Sequence, residues 1–132
     1  MTVLFVCVHN SGRSQMAEAF FNQLAEGKAE AVSAGTEPAE SIDPTVVGVM
    51  GQLGIDISRL KPKKLTFEMI EQTDRVITMG CSVAEVCPAS FVETEDWGLD
   101  DPKGQPLEKV REIRDRIRAK VLGLLAEMEP GK

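Results

Sequence analysis

The chain has no tyrosine, one histidine, one tryptophan and only three cysteines among its 132 residues. The cysteines at 7, 81 and 87 include no C-x2-C pair and His9 is the only histidine available, which argues against a structural zinc site. An odd number of cysteines excludes complete intramolecular pairing, and in a reducing compartment sparse cysteines more often do chemistry than staple a fold. No run reaches the roughly 18 apolar residues of a membrane span. The opening Met1-Thr2-Val3-Leu4 lacks the basic stretch of a secretory signal, so cytoplasmic residence is expected. Positive charge is also short: 15 Lys and Arg face 21 Asp and Glu, for a net charge of −6. That balance argues against a nucleic-acid surface. Any small anion must be drawn by a local site, which screening over about 8–10 Å permits.

Apolar residues make up 42% of the chain, enough for one core. Without repeats, low-complexity segments or a linker, residues 1–132 are expected to form a single domain. Val3 to Val8 is a continuous apolar run, as in a strand buried on both faces of a parallel sheet. A helix is expected from about Ser14, with Ala17, Phe20, Phe21 and Leu24 on one face and Gly27 as its stop. Ala31 to Ser33 reads as a second strand. Asp43-Pro44 starts a helix as cap and first residue, with Val46, Val47, Met50 and Leu53 as its stripe and Gly54 as its end. Thr66 to Gln72 reads as a short helix, Arg75 to Met79 as a third strand and Phe91 to Glu93 as a fourth. Leu107, Val110, Ile113, Ile117, Val121, Leu124 and Met128 give a long amphipathic helix. Strands alternating with helices predict a three-layer α/β fold around a parallel four-stranded sheet.

Ligands of such sheets bind beyond the carboxyl ends of the strands. The stretch "CVHNSGRS", Cys7 to Ser14, lies at such an end, between a buried strand and a helix. Backbone N–H groups of Val8, His9, Asn10, Ser11, Gly12, Arg13 and Ser14 can line an anion nest, and the helix start adds partial positive charge. Gly12 is expected to take backbone angles that other residues resist. Arg13 can grip two oxygens of one tetrahedral anion. The field that binds an anion also stabilises a thiolate at Cys7. Ser14 can donate to the sulfur, and Asn10 can hold the loop through its amide. C-x5-R alone is a weak pattern; set between strand and helix, it describes a nucleophile aimed at a bound oxyanion. His9 reads as a loop residue and not as a base.

Such an attack needs a proton for the departing oxygen. In "DWGLDDP", Asp101 precedes a proline that fixes its backbone direction, which makes it the candidate acid. Trp97 is expected to pack this loop on the core. Cys81 follows the third strand and Cys87 comes six residues later. A helix would set their Cα atoms about 9 Å apart and a strand about 20 Å, whereas a disulfide needs roughly 4.4–6.8 Å. If these two thiols pair, the segment must loop.

Taken together, "CVHNSGRSQMAEAFF", "SAGTEP", "LGIDIS", "VITMGC", the Cys87-Pro88 step and "DWGLDDP" resemble the arsenate reductases built on the low-molecular-weight tyrosine phosphatase fold, in their thioredoxin-coupled, three-cysteine branch. The resemblance implies that Cys7 attacks arsenate, Asp101 protonates the leaving oxygen, Cys81 displaces arsenite to form a Cys7–Cys81 disulfide, and Cys87 resolves it to Cys81–Cys87. An external dithiol protein, thioredoxin or a glutaredoxin-like reductant, would then restore the thiols, with no bound cofactor and no metal. Phosphate and sulfate would act as arsenate analogues, and a monomer is expected. The alternative is a phosphatase that uses only Cys7, Arg13 and Asp101. Against it stand Cys81 and Cys87, which hydrolysis does not need, and the absence of the tyrosines that commonly follow the phosphatases' Asp-Pro. Two departures stand out. Cys81 and Cys87 are one residue closer than in the branch. Some members bind potassium through residues like Asn10, Glu18 and Ser33 plus a carboxylate, where this chain has Lys63; an ammonium there is expected to replace the cation.

Overall fold

The first strand, β1 (Thr2–Cys7), is the apolar run, and from Val3 to Cys7 it is buried without interruption. A strand puts successive side chains on opposite faces, so β1 feeds two cores. Val3, Phe5 and Cys7 join one; Leu4 and Val6 join the other. The computed structural model describes residues 2–79, 94–100 and 102–128. Its further elements are α1 (Arg13–Ala25), β2 (Glu30–Gly35), α2 (Pro44–Gly51), α3 (Phe67–Glu71), β3 (Arg75–Thr78), β4 (Thr94–Asp96) and α4 (Leu107–Met128).

The four strands are parallel, in the order β2-β1-β3-β4. From β1 the chain steps outward to β2, then crosses back over β1 to reach β3. The order therefore reverses beside the carboxyl end of β1, the switch point at which open α/β sheets form their crevice. Cys7 stands there. One sheet face carries α1, α2 and α4 through Met16, Phe20, Phe21, Val46, Val49, Ile113 and Ile117. The other is thinner, covered by Ile70 of α3 and by Leu65. The expected three layers are present, with unequal thickness.

Several boundaries differ from the expectations. The helix after the loop begins at Arg13 and ends at Ala25, with Glu26 in the left-handed conformation (φ 52°) one residue before Gly27. Asp43 caps α2 as expected, its Oδ1 accepting the Thr45 N–H at 2.9 Å. That helix ends at Gly51, so Leu53 leaves the stripe and is 42% exposed, while Val49 is fully buried. The fourth strand lies at Thr94–Asp96; the expected Phe91–Glu93 falls outside the described residues. Trp97 packs inward as expected, its ring centroid 5.4 Å from that of Phe5. Among the described residues no helix is long and apolar enough to cross a membrane.

One buried charge ties the helical layer together. Arg114 of α4 donates through Nη1 to the Val49 carbonyl at 2.9 Å and to Gln52 Oε1 at 3.2 Å. It thereby satisfies a carbonyl at the end of α2 that the helix itself cannot. Arg114→Met keeps the stem and strands that carbonyl. Stability to urea should fall by about 1–3 kcal/mol, measured by equilibrium unfolding, with the fold retained.

Candidate active site

The loop from Val8 to Gly12 is shaped by its carbonyls. Those of Cys7, Val8, His9 and Ser11 accept the N–H groups of Thr36 (3.2 Å), Glu37 (2.8 Å), Ala39 (3.0 Å) and Asp43 (3.0 Å). A trans peptide points its C=O and N–H in opposite directions, and no cis peptide occurs among the described residues. The N–H groups of Val8, His9, Asn10 and Gly12 are therefore turned away from the Thr36–Asp43 segment. One of them is seen arriving: Asn10 N–H donates to Cys7 Sγ at 3.2 Å. The loop is an anion nest with the sulfur at its floor and the first turn of α1 at its rim. Cys7 itself is 3% exposed.

Asn10, not Gly12, holds the left-handed angle of the loop, with φ 51°. Asn tolerates that region better than most residues. Gly12, at φ −146° and ψ −92°, is also closely approached. A Cβ there would meet Pro102 Cγ at 3.0 Å, so a bare Cα lets Pro102 pack against the loop. Gly35, paired with Cys7 across the sheet, is approached more closely still. A Cβ on it would fall 2.5 Å from the Val8 carbonyl oxygen and 3.0 Å from Asn10 N.

The predicted polar partners converge on the sulfur. Ser14 Oγ lies 2.8 Å from Cys7 Sγ, and Asn10 Nδ2 donates to Ser14 Oγ at 2.7 Å. Asn10 Oδ1 accepts from Gln15 Nε2 at 2.9 Å and from the Lys63 N–H at 2.8 Å. Arg13 is 7% exposed, and its Nη1 donates to the carbonyls of Met79 (3.0 Å) and Leu99 (2.9 Å). It thus joins the nest to the end of β3 and to the loop after β4. His9 acts as a tether, its Nδ1 3.1 Å from the Glu37 carbonyl. Cys81, Cys87 and Asp101 lie outside the described residues.

Lys63 stands where an ammonium was expected. Its Nζ is 3.3 Å from Glu18 Oε1, the same oxygen to which Ser33 Oγ donates at 2.9 Å. Among the described residues no three His, Cys, Asp or Glu side chains group to hold a metal ion. Sequence reasoning missed Gln15, Gly35 and the carbonyls of Met79 and Leu99. Gln15 carried a usable signal, a polar residue beside Ser14 on the inward side of the first helical turn. Backbone carbonyls carry none, because every residue has one.

The low molecular weight phosphotyrosine protein phosphatase family matches residues 2–131. A putative arsenate reductase of Halobacterium salinarum is 44% identical over 131 residues, covering 96% of this chain and 92% of that protein. The glutaredoxin arsenate reductase of a Synechocystis species is 38% identical over 130 residues, 96% and 97% of the two chains. Among solved structures, a thioredoxin-dependent arsenate reductase of Corynebacterium glutamicum superposes with a TM-score of 0.81 at 39% identity, over 96% of this chain and 60% of that one.

Gly35→Ala tests the nest directly. The added methyl must displace the Val8–Asn10 backbone and so misplace the donors. Affinity for inorganic phosphate, measured by titration calorimetry, should fall on the order of a hundredfold, while the circular dichroism spectrum stays that of the parent.

Proposed function

The chain belongs to the low molecular weight phosphotyrosine protein phosphatase family, and we propose that within it this protein reduces arsenate to arsenite. The observation that carries the reading is the sulfur of Cys7 at the floor of a nest of N–H groups, itself receiving the Asn10 N–H and facing the Ser14 hydroxyl. Such surroundings favour a thiolate and a tetrahedral anion alike. The relatives named arsenate reductase, over nearly the whole chain, support the choice of anion.

Arsenate enters the nest with its oxygens on the loop N–H groups and Arg13. The Cys7 thiolate attacks arsenic, and one oxygen leaves as water after protonation by Asp101. That role for Asp101 is supported by its surroundings in sequence: Leu99 is bonded to Arg13 and Pro102 lies against Gly12. The Cys81 thiolate then attacks the Cys7 sulfur. The sulfur–arsenic bond breaks, its electron pair stays on arsenic, and arsenite departs from a Cys7–Cys81 disulfide. Two thiols have lost two electrons and As(V) has gained them. Cys87 exchanges onto Cys81, freeing Cys7, and an external dithiol protein reduces Cys81–Cys87. Met79, bonded to Arg13, sits two residues before Cys81 and supports that thiol's part in the relay. In this reading the protein works as a cytoplasmic monomer with no bound cofactor. A relative named for glutaredoxin and another for thioredoxin leave both donor types as arms of the test.

The test supplies arsenate, NADPH and either thioredoxin with its reductase or glutathione with glutaredoxin, and follows NADPH loss. Cys81→Ser and Cys87→Ser should each stop after at most one turnover per enzyme; sustained turnover by either variant breaks the relay. Asp101→Asn should lower kcat by about 10²–10⁴. A protein that hydrolyses p-nitrophenyl phosphate briskly as the parent, as Cys81→Ser and as Cys87→Ser, with no arsenate-dependent NADPH loss, is a phosphatase instead.

A further inference from the structure

Gln15 occupies the first turn of α1 and is fully buried. Its Nε2 donates twice, to Asn10 Oδ1 at 2.9 Å and to the Lys61 carbonyl at 3.2 Å. Its Oε1 is the one buried side-chain polar atom among the described residues that lacks a hydrogen-bond partner. Burying an amide oxygen without a donor is costly. Met at this position would fill similar space without that cost. The side chain is held for what its nitrogen does.

The nitrogen sets a direction. An Asn amide has a donor end and an acceptor end, and only its partners decide which faces where. The Lys63 N–H can only donate, so it draws Asn10 Oδ1 toward itself, and Gln15 Nε2 reinforces that choice on the same oxygen. Asn10 Nδ2 must then face Ser14 Oγ, where it donates at 2.7 Å. Ser14 has a single hydroxyl proton. With its oxygen already accepting from Asn10, that proton is directed at Cys7 Sγ, 2.8 Å away. Donation runs one way, from Gln15 to Asn10 to Ser14 to the sulfur. The sulfur then only receives hydrogen bonds, from the Ser14 hydroxyl and the Asn10 N–H.

We propose that Gln15 is a positioning residue that fixes the polarity of the Asn10–Ser14–Cys7 hydrogen-bond chain and so keeps the sulfur of Cys7 ready to attack. The proposal rests on Cys7 being the nucleophile of the reaction above. It takes nothing from the identity of the oxyanion or of the reductant. Gln15 reaches the sulfur only through Asn10 and Ser14, so its effect belongs in reactivity and not in substrate affinity.

The test reads Cys7 without arsenate or reductant. In a chain with Cys81 and Cys87 replaced by serine, Cys7 is the sole remaining thiol, and its alkylation by iodoacetamide is followed across pH. Gln15→Met should slow alkylation at neutral pH by about tenfold and move the profile to higher pH, with a melting temperature equal to or above the parent's. Gln15→Glu, nearly the same shape, sets acceptors against Asn10 Oδ1 and should slow it further. Combining Gln15→Met with Ser14→Ala should add nothing to the effect of Ser14→Ala alone, since the chain is already cut. In the full enzyme Gln15→Met should lower kcat and leave KM for arsenate unchanged. The proposal is overturned if Gln15→Met alkylates with the parent's rate and pH profile, if its effect adds to that of Ser14→Ala, or if only KM changes. Should Gln15→Met fail to fold, the comparison of Gln15→Glu with the parent decides by the same readouts. Because alkylation needs no arsenate, loss of the arsenate reading and loss of this one are told apart.

Discussion

Four carbonyls in the stretch from Cys7 to Ser11 are committed before any ligand arrives. The Thr36–Asp43 segment takes each of them through a backbone N–H, and the planarity of the peptide bond does the rest. No side chain in the nest chooses the direction of its donors. That direction is imposed from outside by a neighbouring backbone, which leaves the loop little room to turn over when empty. Preorganised donors lower the barrier because they need not reorient as charge develops. The same constraint explains the two glycines. Gly35 lets β2 run directly beneath the loop, and Gly12 lets Pro102 lie against it.

Arg13 extends this order beyond the loop. One nitrogen, Nη1, bonds the carbonyl of Met79, directly after β3, and that of Leu99, three positions beyond β4. Strand order brings those two segments to the same end of the sheet as Cys7, because the order of connection reverses at β1 while all strands stay parallel. A protein of net charge −6 thereby presents a local cationic site. Screening over about 8–10 Å confines most of the opposing field to the surfaces that carry it. The anion meets a guanidinium and a ring of N–H dipoles at contact distance, where short-range terms dominate.

Much of this was legible in the sequence, and the illegible parts share a cause. The uninterrupted apolar run of β1, the polar stretch after it and the amphipathic start of α1 each have a residue-type signature, so Cys7, Arg13, Ser14 and Asn10 could be placed. Phe91–Glu93, read as the fourth strand, lies outside the described residues. The described strand is Thr94–Asp96, a polar edge piece held to β3 by backbone pairing and by the Arg75–Glu95 ion pair at 3.6 Å. Leu53 fits the α2 stripe by spacing, yet the helix stops at Gly51 and the spacing no longer applies. Gly12 was assigned its role by backbone freedom, and the structure adds proximity, which depends on a residue 90 positions away. Backbone pairing, helix termination and distant approach all lie beyond what residue type reports. Cys81, Cys87 and Asp101 stand as chemical expectations on residues outside those described.

Lys63 is the point at which local chemistry and loop geometry meet. Glu18 has a side chain only 10% exposed, and a carboxylate so poorly hydrated needs a cation or strong donors close by. It has the Lys63 ammonium at 3.3 Å and the Ser33 hydroxyl at 2.9 Å. The Lys63 side chain is 41% exposed, so solvent screens the pair and its contribution to stability is at most about 1 kcal/mol. Its importance is directional. The same residue gives its N–H to Asn10 Oδ1 and its carbonyl to the Gly35 N–H. Anchoring the ammonium to α1 therefore steadies the backbone that orients Asn10, which in turn faces Ser14 and the sulfur. A cation recruited from solvent would occupy such a position only by mass action and would leave as its concentration fell. One attached to the chain stays, and with it the N–H that orients the Asn10 side chain.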